Sequence, residues 1–178
     1  MKKLLLCLSL GIFLLSCNNE KEKPVSTETA AVAEKPSVDL PYTASYTSSW
    51  STDVSDADLK TVLTTYKDWS DGNISGLQSA MGDTVSFDMY TGDHFNLAKA
   101  DLSKMWSTLR DSLSSVKIDM QGWQKMYATD KKEAYIVTWY DETDTYKNGK
   151  VDAGSFHDIN QLKDGKIVYY AQYKRPKK

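Results

Sequence analysis

The chain has 178 residues, 26% of them charged and 40% hydrophobic, and a formal net charge of −2. That length suits one domain of ordinary size. The only basic cluster is the terminal Lys174-Arg175-Pro176-Lys177-Lys178, which speaks against nucleic acid as a partner, because such binding is dominated by Lys and Arg contacts to phosphate.

Residues 1–16 have the parts of an export signal. Lys2 and Lys3 are its positive start, Leu4 to Leu15 its apolar run, and Ser16 the small residue before a cut. The run is too short to span a bilayer, which takes about 20 apolar residues. Leu14-Leu15-Ser16-Cys17 resembles the lipobox of bacterial lipoproteins. The resemblance implies a signal peptide over 1–16, cleavage before Cys17, and lipid on its thiol and new amino terminus. The only other cysteine, Cys7, lies in the signal, so the mature chain is expected to have no disulfide. Two or more acyl chains anchor stably where one does not. The membrane is therefore an expected partner, through Cys17. The polar start after it, without Asp at the next position, resembles lipoprotein sorting patterns that lead to the outer membrane.

Residues 17–54 read as the lipidated cysteine and a flexible linker. Ser, Thr, Ala, Glu and Lys dominate as far as Val38, and Pro24, Pro36 and Pro41 lie here. Such a stretch buries too little apolar surface to offset its ordering entropy. Tyr42, Tyr46 and Trp50 are aromatic for a linker and mark a possible arm against the domain that follows, over 55–176.

In that domain Ser55-Asp56-Ala57-Asp58 reads as a capping box. Leu59, Val62, Leu63, Tyr66 and Trp69 then hold helical spacing, and Asp71-Gly72 stops the helix. A short helix follows over Ile74–Ala80, then a strand over Thr84–Met89. Asn96 is expected to cap a third helix, carrying Leu102, Met105, Trp106, Leu109 and Leu113. After Ser115 the period changes from 3.6 to 2. Asn148-Gly149 and Asp164-Gly165 are tight hairpin signals between alternating runs, and Asp130 with the two lysines after it marks a third turn. Helices followed by four long antiparallel strands give an α+β class, with the helices on one face of a sheet.

This order resembles the NTF2-like superfamily, and its SnoaL-like branch in particular. The residues that carry the likeness are the Leu59–Trp69 helix with Asp71-Gly72-Asn73, the strand Val85-Ser86-Phe87-Asp88, and Phe156-His157-Asp158 leading through Leu162-Lys163-Asp164-Gly165-Lys166-Ile167 into the last strand. It implies a cone, in which a curved antiparallel sheet wraps around the N-terminal helices and leaves a pocket at the wide end. The superfamily contains isomerases, dehydratases, cyclases and non-catalytic binding modules, so the fold does not choose among them.

The two histidines, His94 and His157, are far apart and have no cysteine near them, and no phosphate-binding glycine loop is present. No metal or cofactor is expected. His157 is the first candidate for acid–base chemistry. It shares a strand face with Val151, Ala153, Ser155 and Ile159, the more apolar face, and is expected to point at the helices; a structural histidine is the alternative. Asp88 is the second candidate, since a carboxylate in an apolar cone becomes a usable base, and it resembles an aspartate found on this strand in SnoaL-like proteins. Tyr90, Trp106, Tyr140 and Tyr169 are the candidate ligand-lining aromatics, with core packing as the alternative. Three functional readings stay open. The first is a binding module for a small apolar or aromatic ligand, dimeric through its sheet. The others are an isomerase, dehydratase or cyclase using His157 with Asp88, and a protein-interaction module.

The lipid reading predicts that Cys17→Ser gives an uncleaved or unlipidated product that leaves the membrane fraction. Membrane partitioning of a processed Cys17→Ser protein would refute it.

Overall fold

The computed structural model describes residues 39–177. The signal, Cys17 and the polar segment as far as Val38 lie outside the described residues. In chain order the elements are β1 (Trp50–Ser51), α1 (Asp56–Asp71), α2 (Ile74–Ala80), β2 (Met81–Asp88), β3 (His94–Ala98), α3 (Lys99–Asp111), β4 (Leu113–Ala128), β5 (Glu133–Tyr146), β6 (Val151–Lys163) and β7 (Lys166–Pro176).

Local chemistry explains most of the boundaries. Ser55 Oγ accepts from the Asp58 amide at 3.0 Å and donates its own hydrogen to the Asp58 carboxylate at 2.8 Å, which starts α1. The helix stops where Gly72 turns left-handed, at φ 74°. Asn73 then caps α2 by accepting from the Gly76 amide. Asp164 and Gly165 both have positive φ, the geometry of a tight hairpin turn between β6 and β7. Gly149 is also left-handed in the β5–β6 turn, where the Tyr146 amide bonds the Lys150 carbonyl.

The strands form one curved, unclosed sheet in the order β1-β4-β5-β6-β7-β2-β3. Its four long strands are the expected antiparallel meander. One pairing departs from an all-antiparallel sheet: β2 lies parallel to β7. The chain reaches β2 through α1 and α2, a crossover long enough to bring it to the far edge in the same direction as the last strand. The third helix also starts later than expected. Asn96 is not its cap but lies inside β3, opposite Ser86. Phe95 and Leu97 alternate onto the core, and this two-residue period outweighs the capping preference of Asn. The helix opens after Ala98, without a side-chain cap, and closes at Asp111, so Leu113, expected on it, instead begins β4 opposite Tyr146.

The arm before α1 is part of the folded unit. Tyr46 bonds Glu133 and Tyr135 through its hydroxyl, and Thr47 bonds Asp130 at 2.6 Å. Trp50 and Ser51 pair with β4, and Val54 is buried in the core. The linker expected over 17–54 therefore gives way to packed chain by Tyr46, while Tyr42 stays exposed.

The helices cover the concave face. α1 packs across β4, β5 and β7, and α3 against β2, β3 and β4. Val62, Val85, Leu102, Ile136 and Ile167 are the best-buried apolar side chains. Leu102 is 0% exposed and is the only fully buried residue of α3. Leu102→Ala should cost about 2–5 kcal/mol, as buried Leu truncations do, read as a lowered midpoint in urea. An unchanged midpoint would show that α3 is not fastened there.

Candidate functional site

Along β5 and β6 the even-numbered residues face the helices and the odd-numbered ones face outward. Between the even face and the helices lies a cavity of about 350 Å³. Phe87, Met89, Met105, Trp106 and Phe156 make much of its wall, together with the rings of Tyr66, Tyr140 and Tyr170.

Asp158 holds the floor together from just behind the lining. It is 0% exposed, and its Oδ2 accepts three tyrosine hydroxyls: Tyr170 at 2.7 Å, Tyr140 at 2.8 Å and Tyr66 at 3.0 Å. Thr138 shares a hydrogen bond with the Tyr66 hydroxyl at 2.6 Å. Gln172 donates its amide to the oxygens of Tyr170 and Tyr140, at 2.8 and 3.3 Å. Asn160 donates to the Ile136 carbonyl and to Tyr66, at 3.3 and 3.4 Å. Burial pushes the Asp158 carboxyl up to about 7 even though the three hydroxyls pull it down. Its Oδ1 is buried with no hydrogen-bond partner among the described residues, which makes it the natural place for that proton. Burial, with the Asp158 charge beside them, holds the Tyr66, Tyr140 and Tyr170 hydroxyls well above their ordinary range.

A second acidic group lies farther along β5. Glu142 accepts from the Trp69 indole at 3.3 Å and stands two residues from Asp144, on the same face of β5. Burial, then the Asp144 charge, pushes Glu142 up to about 8. Burial raises Asp144 too. Glu142 therefore keeps its proton at neutral pH. Asp144 Oδ1 is buried and has no hydrogen-bond partner among the described residues. Opposite Asp144 on β6 is Asp152. Both Asp152 oxygens are held by Lys174, at 2.8 and 2.9 Å. The Lys174 ammonium also lies over the rings of Tyr90 and Phe156, 5.1 and 5.3 Å from their centroids.

Of the residues singled out in the sequence, Tyr90, Trp106 and Tyr140 line the cavity. Tyr169 does not. It lies on the outer face and donates to Asp88 at 2.6 Å, while its neighbour Tyr170 takes the inward place. Asp88 also faces outward, bonded to His94 Nδ1 at 2.6 Å, so the cone does not enclose it. His157 is on the outer face as well, stacked on Trp139 with ring centroids 5.2 Å apart and tilted against Tyr173. The expected strand face was the wrong one, and His157 and Asp88 do not form a pair. The inner face of β6 carries Asp158 and Asn160 between Phe156 and Leu162. Its polar groups are buried because the tyrosines satisfy them, so counting apolar residues picks the other side. The signal that points to Asp158 and Glu142 is their two-residue spacing with Phe156 and Tyr140.

No family model matches the sequence, and no curated protein matches it. Solved structures do. An LEH-like epoxide hydrolase from M. tuberculosis superposes with a TM-score of 0.58 at 8% identity, over 67% of this chain and 84% of that one. An NTF2-like protein of unknown function from Exiguobacterium sp. 255-15 gives 0.53 at 22% identity, over 64% and 97%. A SnoaL-like protein from Jannaschia sp. CCS1 gives 0.55 at 10% identity, over 68% and 88%. At such identities the likeness is one of fold, and the fold is the NTF2-like cone.

Glu142 generates a pH prediction. Its folded value, about 8, exceeds its ordinary 4.5, so between these values the folded chain keeps a proton that the unfolded chain releases. Stability from this group is therefore complete at low pH and lost as pH rises towards 8, at up to about 1.4 kcal/mol per pH unit. Glu142→Gln keeps an acceptor for Trp69 and cannot ionise. Its stability relative to the parent should rise steadily from pH 5 to 8 in thermal melts. Parallel pH profiles for the two proteins would refute the buried proton.

Proposed function

We propose that this domain is a binding module that holds a small, largely apolar molecule in its cone, carried at the bacterial envelope by lipid on Cys17. The observation behind it is the cavity itself: apolar and aromatic walls, about 350 Å³ of space, and a floor whose polar groups are bonded to one another. Ligand sites have this character, a mostly apolar concavity with a few oriented polar atoms. The outward placement of His157 and Asp88 removes the acid–base pair on which a catalytic reading rested. The envelope location rests on the Leu14-Leu15-Ser16-Cys17 sequence.

A second reading has one observation in its favour. Glu142 keeps its proton to about pH 8 beside Asp144, in the wall of the cavity, and a proton held near working pH suits a general acid.

Protein extracted from its own host should retain a small molecule in native mass spectra. The recovered compound, added back at a hundred times its Kd, should stabilise the emptied protein by about 2.7 kcal/mol. No retained mass, together with no thermal shift across a panel of small apolar compounds, would sink the binding reading. Conversion of the compound, abolished in Glu142→Gln, would replace it with the catalytic one.

A further inference from the structure

We propose that the ligand of this cavity is a small amine, an ammonium group carried on an apolar body, with the ammonium bound at Glu142 and Asp144. The inference rests on the binding reading above and adds the chemical class.

The first argument is the direction of the hydrogen bonds. Each tyrosine hydroxyl has one hydrogen, and those of Tyr66, Tyr140 and Tyr170 all point away from the cavity, to Asp158. Gln172 meets two of these oxygens, whose hydrogens are already committed, so it must present its NH2 to them. Asn160 is 1% exposed and bonds the Ile136 carbonyl, which only an N–H can do. The amide donors of both residues are thus used within the floor, and what each has left for a ligand is a carbonyl oxygen. The Trp69 indole is committed to Glu142, Thr65 to the Val62 carbonyl, and Lys174 to Asp152. Trp106, Tyr90 and Tyr146 still bring polar hydrogens to the wall, but the floor and the acidic wall offer acceptors. A ligand that supplies donors fits; one that needs them does not.

The second argument is charge. Among the described residues, Glu142, Asp144 and Asp152 border the cavity with Lys174 as the one cationic side chain in its lining; Arg110, behind the lining, acts on Asp144 through its charge but is bonded to the Trp69, Ser70 and Leu113 carbonyls. Lys174 neutralises Asp152. That leaves Glu142 and Asp144 without a cationic partner bonded to either, and a buried oxygen of Asp144 lacks a hydrogen-bond partner among the described residues.

The third argument is that the cavity already holds an ammonium in this manner. Lys174 is clamped by a carboxylate and covered by Tyr90 and Phe156. Next to it, Glu142 and Asp144 offer a carboxylate, and Tyr66, Trp69, Tyr140 and Tyr146 line the same cavity. Aromatic faces attract cations, more strongly when water is excluded. The apolar body would lie towards Phe87, Met105 and Trp106.

The test uses three probes with one ring and different charge: benzylamine, benzyl alcohol and benzoate. Each is titrated into the full-length protein at pH 7 and followed by ligand-observed NMR. Benzylamine should bind at least tenfold more tightly than benzyl alcohol, and benzoate most weakly. In the double variant Glu142→Gln, Asp144→Asn the advantage of the amine over benzyl alcohol should vanish. A cooperative thermal melt and continued measurable binding of benzyl alcohol report an intact cavity. Benzoate or benzyl alcohol binding as tightly as benzylamine would overturn the amine assignment and leave the binding reading standing. An amine advantage that survives the double variant would overturn the assignment to Glu142 and Asp144. Binding by none of the three would count against both.

Discussion

One carboxylate oxygen, Oδ2 of Asp158, organises the interior. A charged carboxylate removed from water costs several kcal/mol unless it is well bonded. Here three hydroxyls converge on it, from α1 (Tyr66), β5 (Tyr140) and β7 (Tyr170), while Asp158 itself stands on β6. The same point thus fastens the first helix to three strands. The bonds are charge-assisted, the strong kind, yet the carboxyl still sits at about 7. Desolvation therefore outweighs the three donors, and the site lies near the balance between its charged and neutral forms. Losing any one tyrosine hydroxyl would tip that balance towards the neutral acid.

How much of this the sequence shows depends on which contacts decide each feature. The Ser55 cap, the Gly72 stop and the turns at Asn148-Gly149 and Asp164-Gly165 depend on a few neighbouring residues, and all are legible. So are the apolar stripes of α1 and α3 and the four long strands. The start of α3 is not, because Asn96 has a cap's chemistry but lies between Phe95 and Leu97, which bury as a strand. The faces of β6 are harder still. Val151, Ala153 and Ile159 make the outward face look apolar, whereas the inward one carries Asp152, Asp158 and Asn160. Those groups can be inside only because partners from α1, β5 and β7 arrive from positions distant in sequence. A rule that ranks faces by apolar content assumes that buried polar groups are unsatisfied. In this cone they are bonded, and the rule inverts. The same inversion takes His157 out of the cavity and puts Glu142 and Asp144 into it; Asp88 is outside by ordinary alternation, because Val85 and Phe87 hold the inner face of β2.

The outward placement also gives those residues a physical setting of their own. Trp139, His157 and Tyr173 form a ladder across three adjacent strands, and Trp139 and Tyr173 remain 41% and 56% exposed. Cross-strand aromatic pairs stabilise a sheet from its solvent side, which is a sufficient account of a histidine stacked between two rings. Asp88 similarly joins His94 of β3 to Tyr169 of β7. It ties the two strands that flank β2, along the edge where the parallel pairing interrupts the meander.

The interior is open for the reason that it is polar. An apolar ring the size of Tyr or Trp, placed between a curved sheet and its helices, gains dispersion energy by turning into any gap. The rings that border this cavity are held by their polar tips instead. Tyr66, Tyr140 and Tyr170 are bonded to Asp158, Trp69 to Glu142, and the long stem of Lys174 is bonded to Asp152. Each bond fixes where a bulky side chain ends, so collapse into the space would break a buried hydrogen bond, at a cost of roughly 1–3 kcal/mol. The acceptors that hold the rings back are carboxylates, and the same carboxylates set the chemistry of the space they keep open.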